Sequence, residues 1–278
     1  MKLRVRDKII DLDEPVIMGV LNVTPDSFSG DGVVDVAAAL EQARVMVGEG
    51  ARVIDVGGES SRPGAQAVSL DEELRRVVPV VERLARETTA VISVDTAKPE
   101  VAQAVLEAGA HIINDITGLR DERMAGVVAK YGAAVVLMHM QGTPETMQRD
   151  PQYDDVVREV AEFWRQRTRR ARAAGVGADQ IVLDPGIGFG KTMEHNLELL
   201  RATRNLVAEF REPVLIGASR KGFIGRLTGH EEARDRVFGT VALTAMVVRD
   251  GAAMVRVHDV AANLDAVKLV QVWRDERD

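Results

Sequence analysis

Short apolar segments recur eight times along this chain, and a helix-forming segment follows each of them. The apolar segments are near-continuous aliphatic runs, which is the pattern of parallel strands that are buried on both faces. Parallel strands need a crossover connection, and that connection is usually a helix. The predicted strands are 15–21, 52–57, 90–94, 111–114, 133–138, 181–183, 213–217 and 253–257.

Eight strand–helix units in 278 residues predict an α/β protein with the (β/α)8 architecture of the TIM barrel. A doubly wound open sheet is the alternative. No linker divides the sequence, so 1–278 is expected to be a single domain, with 1–14 as a short N-terminal β-hairpin. In the second half of the chain, 195–210 is predicted to be one helix and 218–230 a loop.

The overall composition excludes several classes of function. The net charge of −7 argues against a nucleic-acid partner, which needs a basic face for the phosphates. The chain has no cysteine, which excludes disulfides and thiolate zinc sites and fits a reducing compartment. No signal segment or membrane span is evident, since no run approaches roughly 20 apolar residues. We therefore expect a cytoplasmic protein without membrane or nucleic-acid partners.

Polar side chains stand where each predicted strand ends. In a (β/α)8 barrel these positions meet at one rim, and the chemistry of such enzymes is located there. Loops are polar in general, so one such residue is weak evidence, whereas polar residues after all eight runs are stronger evidence. In strand order they are Asn22; Glu59 and Arg62; Asp95; Asn114 and Asp115; His139; Asp184; Ser219, Arg220 and Lys221; Arg256 and His258.

One group of rim residues supplies hydrogen-bond acceptors. Asp95, Asn114 and Asp184 offer carboxylate and amide oxygens, which suit a heterocycle with several N–H donors. Met138 is expected to line the floor of such a site. Asp55 lies inside a predicted strand and is interpreted as a structural carboxylate of the barrel interior.

A second group of rim residues suits an anion. Asn22, Arg256 and His258 follow the first and last strands, which become neighbours when a barrel closes, and barrel enzymes often hold phosphate near the last two strands. Lys221 follows the seventh strand and stands between the two groups. The sequence thus predicts a site with a heterocycle on one side and a phosphate on the other.

The segment Ile181–Thr192, IVLDPGIGFGKT, nearly matches a phosphate-binding P-loop. That motif requires a glycine where Pro185 stands, so the match fails. Lys191 is accordingly interpreted as a solvated residue at the start of a helix. The five histidines show no ligand spacing typical of a zinc site.

Eight motifs follow one another along nearly the whole chain. They are GVLNVTPDSFSGDG (19–32), DVGGESSRPGA (55–65), SVDT (93–96), NDITG (114–118), LMHMQGTPETMQ (137–148), DPGIGFGKT (184–192), GASRKGFIG (217–225) and RVHDV (256–260). Together they resemble the dihydropteroate synthases, which are pterin-binding (β/α)8 barrels. The resemblance implies an alkyl- or aryl-transferase (EC 2.5.1.15 type) of folate biosynthesis. Such an enzyme joins 6-hydroxymethyl-7,8-dihydropterin diphosphate to 4-aminobenzoate and releases diphosphate and 7,8-dihydropteroate.

The resemblance also implies a role for each candidate residue. The pterin would be bound by Asp95, Asn114, Met138, Asp184 and Lys221. The diphosphate would be bound by Asn22, Ser61, Arg62, Arg256 and His258, and Mg²⁺ on the diphosphate would be held by Asn22. The 4-aminobenzoate, or a sulfonamide inhibitor in its place, would lie against Pro63, Phe189, Ser219 and Lys221. The catalytic residues would be Asp95, Asp184, Lys221 and Arg256.

Three further expectations follow from the resemblance. Cleavage of the bond to diphosphate should precede attack by the arylamine. Two segments rich in Gly, Ser and Pro should act as lids that exclude water, namely Thr24–Val33 and Ser60–Ala67. The family usually has threonine at Ser61, so this chain keeps the hydroxyl and lacks the methyl group. A homodimer is expected.

Two alternative functions stay open at this point. One is a methyltransferase that uses methyltetrahydrofolate, which would share the pterin-binding residues but would not need SRKGFIG or RVHD. The other is a catalytically inactive paralogue that binds pterin. The intact cationic residues favour the synthase over both.

Overall fold

The computed structural model describes residues 1–24, 35–62 and 64–275. In these residues, an antiparallel hairpin of β1 (Lys2–Val5) and β2 (Lys8–Asp11) precedes eight parallel strands. The parallel strands are β3 (Val16–Asn22), β4 (Val53–Gly57), β5 (Val91–Asp95), β6 (Ile112–Asp115), β7 (Ala134–Met138), β8 (Ile181–Asp184), β9 (Leu215–Ile216) and β10 (Met254–Val257).

The parallel strands pair in the order β8-β7-β6-β5-β4-β3-β10-β9. A parallel bridge between Leu183 and Val214 joins the two ends of this sheet, so the strands surround a common interior. The predicted TIM barrel and the predicted N-terminal hairpin are therefore both confirmed.

Helices cover the outside of the strands. The described ones are α1 (Val36–Gly48), α2 (Leu70–Glu87), α3 (Pro99–Glu107), α4 (Glu122–Tyr131), α5 (Val156–Ala173), α6 (Met193–Arg201), α7 (Thr203–Glu209), α8 (Gly222–Thr228), α9 (Val237–Arg249) and α10 (Val260–Asp275). None of these helices is both long and apolar enough to cross a membrane.

Two predictions for the second half of the chain were wrong in detail. The segment 195–210 is not one helix but the pair α6 and α7. The Thr203 hydroxyl donates to the Leu200 carbonyl at 2.8 Å and competes with the helical hydrogen bonds there. The segment 218–230 is not only a loop, because it contains α8, which ends at Gly229 with φ 77°. Two glycines within α8 lower its helix propensity, so this helix is hard to predict from the amino-acid pattern.

The barrel interior is apolar at its N-terminal end. Side chains of a strand alternate between the interior and the surrounding helices. The hairpin adds four side chains to the inward-facing cluster, and the Arg6 guanidinium donates to the Ala110 carbonyl just before β6. The cluster therefore fills and covers this end, and the polar inward side chains gather towards the opposite rim. Its members include Leu3, Val5, Ile10, Leu12, Val16, Met18, Val53, Val91, Ile112, Val136, Val182, Leu215 and Met254.

Candidate active site

The three predicted acceptors converge at the C-terminal rim of the barrel. Asp95 ends β5 and lies beside Asn114 of β6 in the strand register. Asp184 ends β8 and lies beside Met138 of β7. Each of these four residues is at most 8% exposed. The convergence follows from the parallel register, because the carboxyl ends of neighbouring strands lie at one edge.

A cavity that is partly open to solvent lies between these side chains, and about 290 Å³ of empty space, open solvent included, lies within it. Seven of its lining residues belong to the predicted site, namely Asp95, Asn114, Met138, Asp184, Phe189, Lys221 and Arg256. Ile116 and Ile187 also line it and were not predicted. Strand alternation could have found Ile116, since it stands two residues after the inward-facing Asn114. The cavity thus combines acceptors, two cations and apolar walls.

Arg256 is held between two buried carboxylates. Its Nε donates to Asp55 Oδ2 at 2.6 Å, and its NH2 group donates to Asp95 Oδ2 at 3.0 Å. Asp55 is fully buried and faces the interior, as predicted for a structural carboxylate. These charge-assisted contacts fix the direction of the guanidinium. A predicted diphosphate residue is therefore connected directly to a predicted pterin residue.

Burial alters the acid–base properties of the cavity. It raises the pKa of Asp184 to about 6, against the opposing effects of the Gly186 amide and of Lys221. Burial also raises the pKa of Asp95, although the Arg256 guanidinium opposes that rise. Loss of solvation lowers the pKa of Lys221 to about 8, and the nearby Arg256 adds to this effect. Both acids and the amine therefore titrate much closer to neutral pH than they would in water.

Phe189 forms an apolar wall that is in contact with a cation. The Lys221 Nζ lies 4.0 Å from the centroid of the Phe189 ring, which is within the range of a cation–π contact.

The loop after β8, which carries Phe189, passes close to the backbone of His139. At Gly186, where φ is +66°, an added Cβ would lie 2.0 Å from the His139 carbonyl oxygen, so only glycine fits there.

Ser219 and His258 are joined by two hydrogen bonds. The Ser219 hydroxyl oxygen accepts from the His258 backbone N–H at 3.1 Å and lies 2.9 Å from His258 Nδ1. Burial and, to a smaller extent, the nearby Arg256 lower the pKa of His258 to about 3, so the ring is neutral. In the tautomer in which the hydroxyl donates to Nδ1, the proton of the neutral ring is on Nε2. The imidazole can therefore offer Nε2–H as a donor to an anion.

Arg220 supports the site from outside the cavity, in a role that was not predicted from the sequence. Its φ of 57° is unusual for a residue with a side chain, and it stands between Ser219 and Lys221. The guanidinium forms a two-pronged pair with Asp259 at 2.9 and 2.5 Å. The Thr240 hydroxyl accepts from its backbone N–H at 3.0 Å. These hydrogen bonds fix the backbone turn at Arg220 and thereby the positions of Ser219 and Lys221 on either side of it.

Five other predicted residues within the described part of the chain are not in the lining of the cavity: Asn22, Ser61, Arg62, Ser219 and His258. Asn22 ends β3 beside Gly57 and is half-buried. Ser61 is half-buried and Arg62 exposed in the loop that follows β4. Pro63 and most of the predicted lid Thr24–Val33 lie outside the described residues. The role of both lids stays a prediction.

Lys191 corrects an expectation from the sequence. It is 2% exposed rather than solvated, although it follows the loop as expected. Its Nζ lies 3.0 Å from His139 Nδ1 and donates to the carbonyl oxygens of Phe189 at 2.9 Å and His139 at 3.3 Å. Burial lowers the pKa of Lys191 to about 7 and that of His139 to about 3. The Lys191 amine therefore connects the loop after β8, which contains Phe189, to the loop after β7, which contains His139.

The burial of Lys191 predicts a pH dependence of stability. The unfolded chain, with an ordinary lysine pKa, binds more protons between about pH 7 and about pH 10 than the folded chain does, so this residue makes unfolding free energy rise with pH there. We expect Lys191→Met to remove that part of the rise, as measured by urea unfolding at about pH 7 and about pH 9. The matched control Lys130→Met, at an exposed position, should keep the wild-type rise. An unchanged rise in Lys191→Met would contradict the prediction.

The chain is similar to known proteins over almost its whole length. The profile of a family described as "Pterin binding enzyme" matches residues 18–258. A dihydropteroate synthase of Escherichia coli K12 is 45% identical over 275 residues, which span 98% of this chain and 96% of that protein.

Two solved structures have the same fold. A Yersinia pestis dihydropteroate synthase in complex with a sulfonamide drug superposes with a TM-score of 0.94 at 44% identity, covering 99% of this chain and 100% of that one. A Xanthomonas albilineans dihydropteroate synthase in complex with 7,8-dihydropteroate superposes with a TM-score of 0.89 at 43% identity, covering 99% of both chains.

Proposed function

The chain belongs to the dihydropteroate synthases within the family of pterin-binding enzymes, and we propose the reaction of that family for it. The enzyme condenses (7,8-dihydropterin-6-yl)methyl diphosphate with 4-aminobenzoate to give 7,8-dihydropteroate and diphosphate. The observation that carries this function is the cavity at the C-terminal rim. It places the acceptors Asp95, Asn114 and Asp184 beside the cations Lys221 and Arg256.

The acceptor side of the cavity suits the pterin ring. A pterin presents an amino group and ring N–H groups in one plane, and buried carboxylate or amide oxygens are the complementary partners. Ile116 and Met138 provide apolar surface for the flat ring. Asp95, Asn114 and Asp184 therefore bind the donor edge of the pterin in this proposal, with Lys221 at the ring.

The cationic side of the cavity suits the diphosphate. Arg256 supplies a fixed guanidinium, and neutral His258 supplies an Nε2–H donor. Ser61 and Arg62, on the loop after β4, are proposed to add contacts from the opposite side. Charge-assisted donors of this kind are the usual partners of phosphate oxygens.

Asn22 fits a magnesium ion that is shared with the diphosphate. Within the described residues there is no cluster of three or more His, Cys, Asp or Glu side chains that could hold a metal. Mg²⁺ commonly keeps several waters and binds through substrate phosphates plus one or two protein oxygens, so a single amide oxygen is sufficient. When bound, the ion neutralises charge on the leaving diphosphate.

The residues of the cavity explain how the transfer proceeds. The C–O bond to the diphosphate breaks, its electron pair leaves with the diphosphate, and the pterin methylene becomes cation-like. Asp95 and Asp184 stabilise that charge electrostatically, while Arg256 and His258 stabilise the departing anion. The arylamine nitrogen, placed against Phe189, Ser219 and Lys221, then attacks the methylene carbon and loses a proton.

One assay tests this function against its alternatives. Purified enzyme is incubated with the pterin diphosphate, 4-aminobenzoate and Mg²⁺, and dihydropteroate and diphosphate are quantified. Equal amounts of the two products are expected, and sulfonamides should compete with 4-aminobenzoate. Pterin binding without product would favour an inactive paralogue. Methyl transfer from methyltetrahydrofolate to a corrinoid would favour the methyltransferase.

The affinity for a dihydropterin without phosphate is expected to fall as the pH drops below about 6. Burial raises the pKa of Asp184 to about 6, so the carboxylate gains a proton there and stops accepting from the ring. Below that point the affinity should fall by at least about tenfold per pH unit, since burial also raises the pKa of the second pterin acceptor, Asp95. The phosphate-free ligand is used because phosphate itself titrates near pH 6. Calorimetry from about pH 5 to about pH 8 measures the profile, and a constant affinity across that range would contradict it.

A homodimer is also part of this proposal. The helices α9 and α10 pack against each other and expose apolar side chains, among them Phe238 (81% exposed) and Leu269 (72% exposed). A second copy covering this face would remove them from water. Sedimentation of the purified chain tests the association.

The absence of cysteine supports a reducing compartment, and we propose the cytoplasm.

A further inference from the structure

The side-chain amide of Asn114 is held at one end only. Its Nδ2 donates to Asp55 Oδ2 at 3.0 Å. Its Oδ1 is buried and has no hydrogen-bond partner among the described residues, although Asn114 lines the cavity. A buried acceptor without a partner is uncommon in native proteins and needs an explanation. Here the unused oxygen is the end of the amide that is available to a ligand.

Asp55 determines which end of the amide is available. Its Oδ1 accepts from the Ser93 hydroxyl at 2.5 Å, and its Oδ2 accepts from Asn114 and from the Arg256 Nε. An ionised carboxylate can only accept hydrogen bonds. If the Asn114 amide turned over, its oxygen would face the Asp55 oxygens, and two acceptors would oppose each other. Asp55 therefore excludes the reversed orientation.

We infer that Asp55 is a positioning residue. It holds the Asn114 amide so that only Oδ1, an acceptor, faces the cavity, and the site thereby selects a ring that has an N–H opposite Asn114 Oδ1. Asp55 acts through Asn114 and itself lies one layer below the ligand, in the middle of β4. Without it, the amide could present either its oxygen or its NH2 group to the cavity. The inference rests on the proposed function, since it concerns recognition of the pterin.

The test compares two substitutions at Asp55. Asp55→Val removes both acceptors and is expected to weaken binding of phosphate-free 6-hydroxymethyl-7,8-dihydropterin about 10- to 100-fold, the range for a mispaired buried polar group. Asp55→Asn is expected to stay within about fivefold of wild type, because its carbonyl can accept from Asn114 while its NH2 donates to the Ser93 hydroxyl. Calorimetry measures both affinities.

A matched control separates positioning from general destabilisation. Asp115 is a fully buried carboxylate of the next position in β6, but it faces away from the cavity and accepts from the Thr117 and Leu119 amides. Asp115→Val should lower the melting temperature and cost much less ring affinity than Asp55→Val, since the Asp115 side chain does not line the cavity. In an Asn114→Ala background, Asp55→Val should add little further loss, because the two residues act as one unit.

Several results would overturn the inference. They are wild-type ring affinity in Asp55→Val, equal losses in Asp55→Val and Asp115→Val, or an undiminished loss in the Asn114→Ala background. A loss in Asp55→Asn as large as in Asp55→Val would also overturn it, because it would show that the negative charge of Asp55 opposite Arg256 determines the affinity, and not the orientation of the Asn114 amide. If the wild-type chain bound no dihydropterin, the proposed function would fall and this inference with it.

If Asp55→Val does not fold, the inference can be tested by NMR on the wild-type chain. The side-chain ¹⁵N–¹H signals of Asn114, assigned by their loss in Asn114→Ala, report where the NH2 group points. They should change little on addition of the dihydropterin, because the NH2 stays on Asp55. Large changes that indicate transfer of the NH2 group to the ring would overturn the inference.

Discussion

Replacing Asp184 with asparagine is expected to lower kcat/KM for the pterin diphosphate by about 10³-fold, the upper part of the range for a preorganised electrostatic contact. One carboxylate oxygen already accepts from the Gly186 amide at 2.7 Å. In Asp184→Asn the carbonyl has to take that contact, so the NH2 group faces the cavity. A donor then meets the donors of the pterin, and the charge that stabilises the cation-like methylene is lost.

The Asp184 prediction is checked by steady-state kinetics together with calorimetry of the dihydropterin. Both pterin affinity and the rate of transfer should fall. The matched control Asp179→Asn changes a carboxylate that pairs with Arg4 of the hairpin, at the opposite end of the barrel. It should retain wild-type kinetics. Wild-type turnover and pterin affinity in Asp184→Asn would remove Asp184 from the site.

Arg256→Gln is expected to weaken binding of magnesium diphosphate about 100-fold and to destabilise the fold at the same time. The guanidinium is the shared partner of Asp55 and Asp95. Its removal leaves these two buried carboxylates without the cation that is hydrogen-bonded to both, and breaking a buried ion pair in this way costs about 3–5 kcal/mol. Part of that loss should be relieved by proton uptake, because burial already raises the pKa of Asp95.

Two measurements separate the effects of Arg256→Gln. Calorimetry with diphosphate and with 4-aminobenzoate should show a large loss for the first ligand and a small one for the second. Thermal unfolding should show a deficit that shrinks as the pH falls and Asp95 becomes protonated. Arg4→Gln, at the exposed hairpin, is the matched control and should change neither ligand affinity. A loss restricted to 4-aminobenzoate would contradict the assignment of Arg256.

The residues on strand ends could be placed from the sequence because two simple rules locate them. The carboxyl ends of parallel strands meet at one rim, and alternation decides which side chains face inward. Asp95, Asn114 and Asp184 satisfy both rules and line one cavity. The same reasoning identified Asp55 as an interior carboxylate. It could not show that Asp55 bonds to Arg256, because the contact joins residues 201 positions apart.

Residues that depend on loop conformation could not be placed in this way. Lys191 belongs to a glycine-rich segment whose three glycines adopt positive φ angles, and this path carries the amine into the interior. The sequence pattern around it suggested a helix start at the surface instead. The same limit applies to Arg220, whose left-handed backbone and pairing with Asp259 have no local sequence signal.

The hydrogen bonds between Ser219 and His258 restrict how this site can evolve. In the proposed function, Ser219 belongs to the wall for 4-aminobenzoate and sulfonamides, whereas His258 belongs to the diphosphate side. The Ser219 hydroxyl orients the His258 ring. A substitution of Ser219 that excludes an inhibitor would therefore also free the His258 ring, which binds the leaving diphosphate in this proposal. Inhibitor resistance through Ser219 would therefore carry a catalytic penalty. Selection should favour changes in wall residues that have no such link to the leaving-group side.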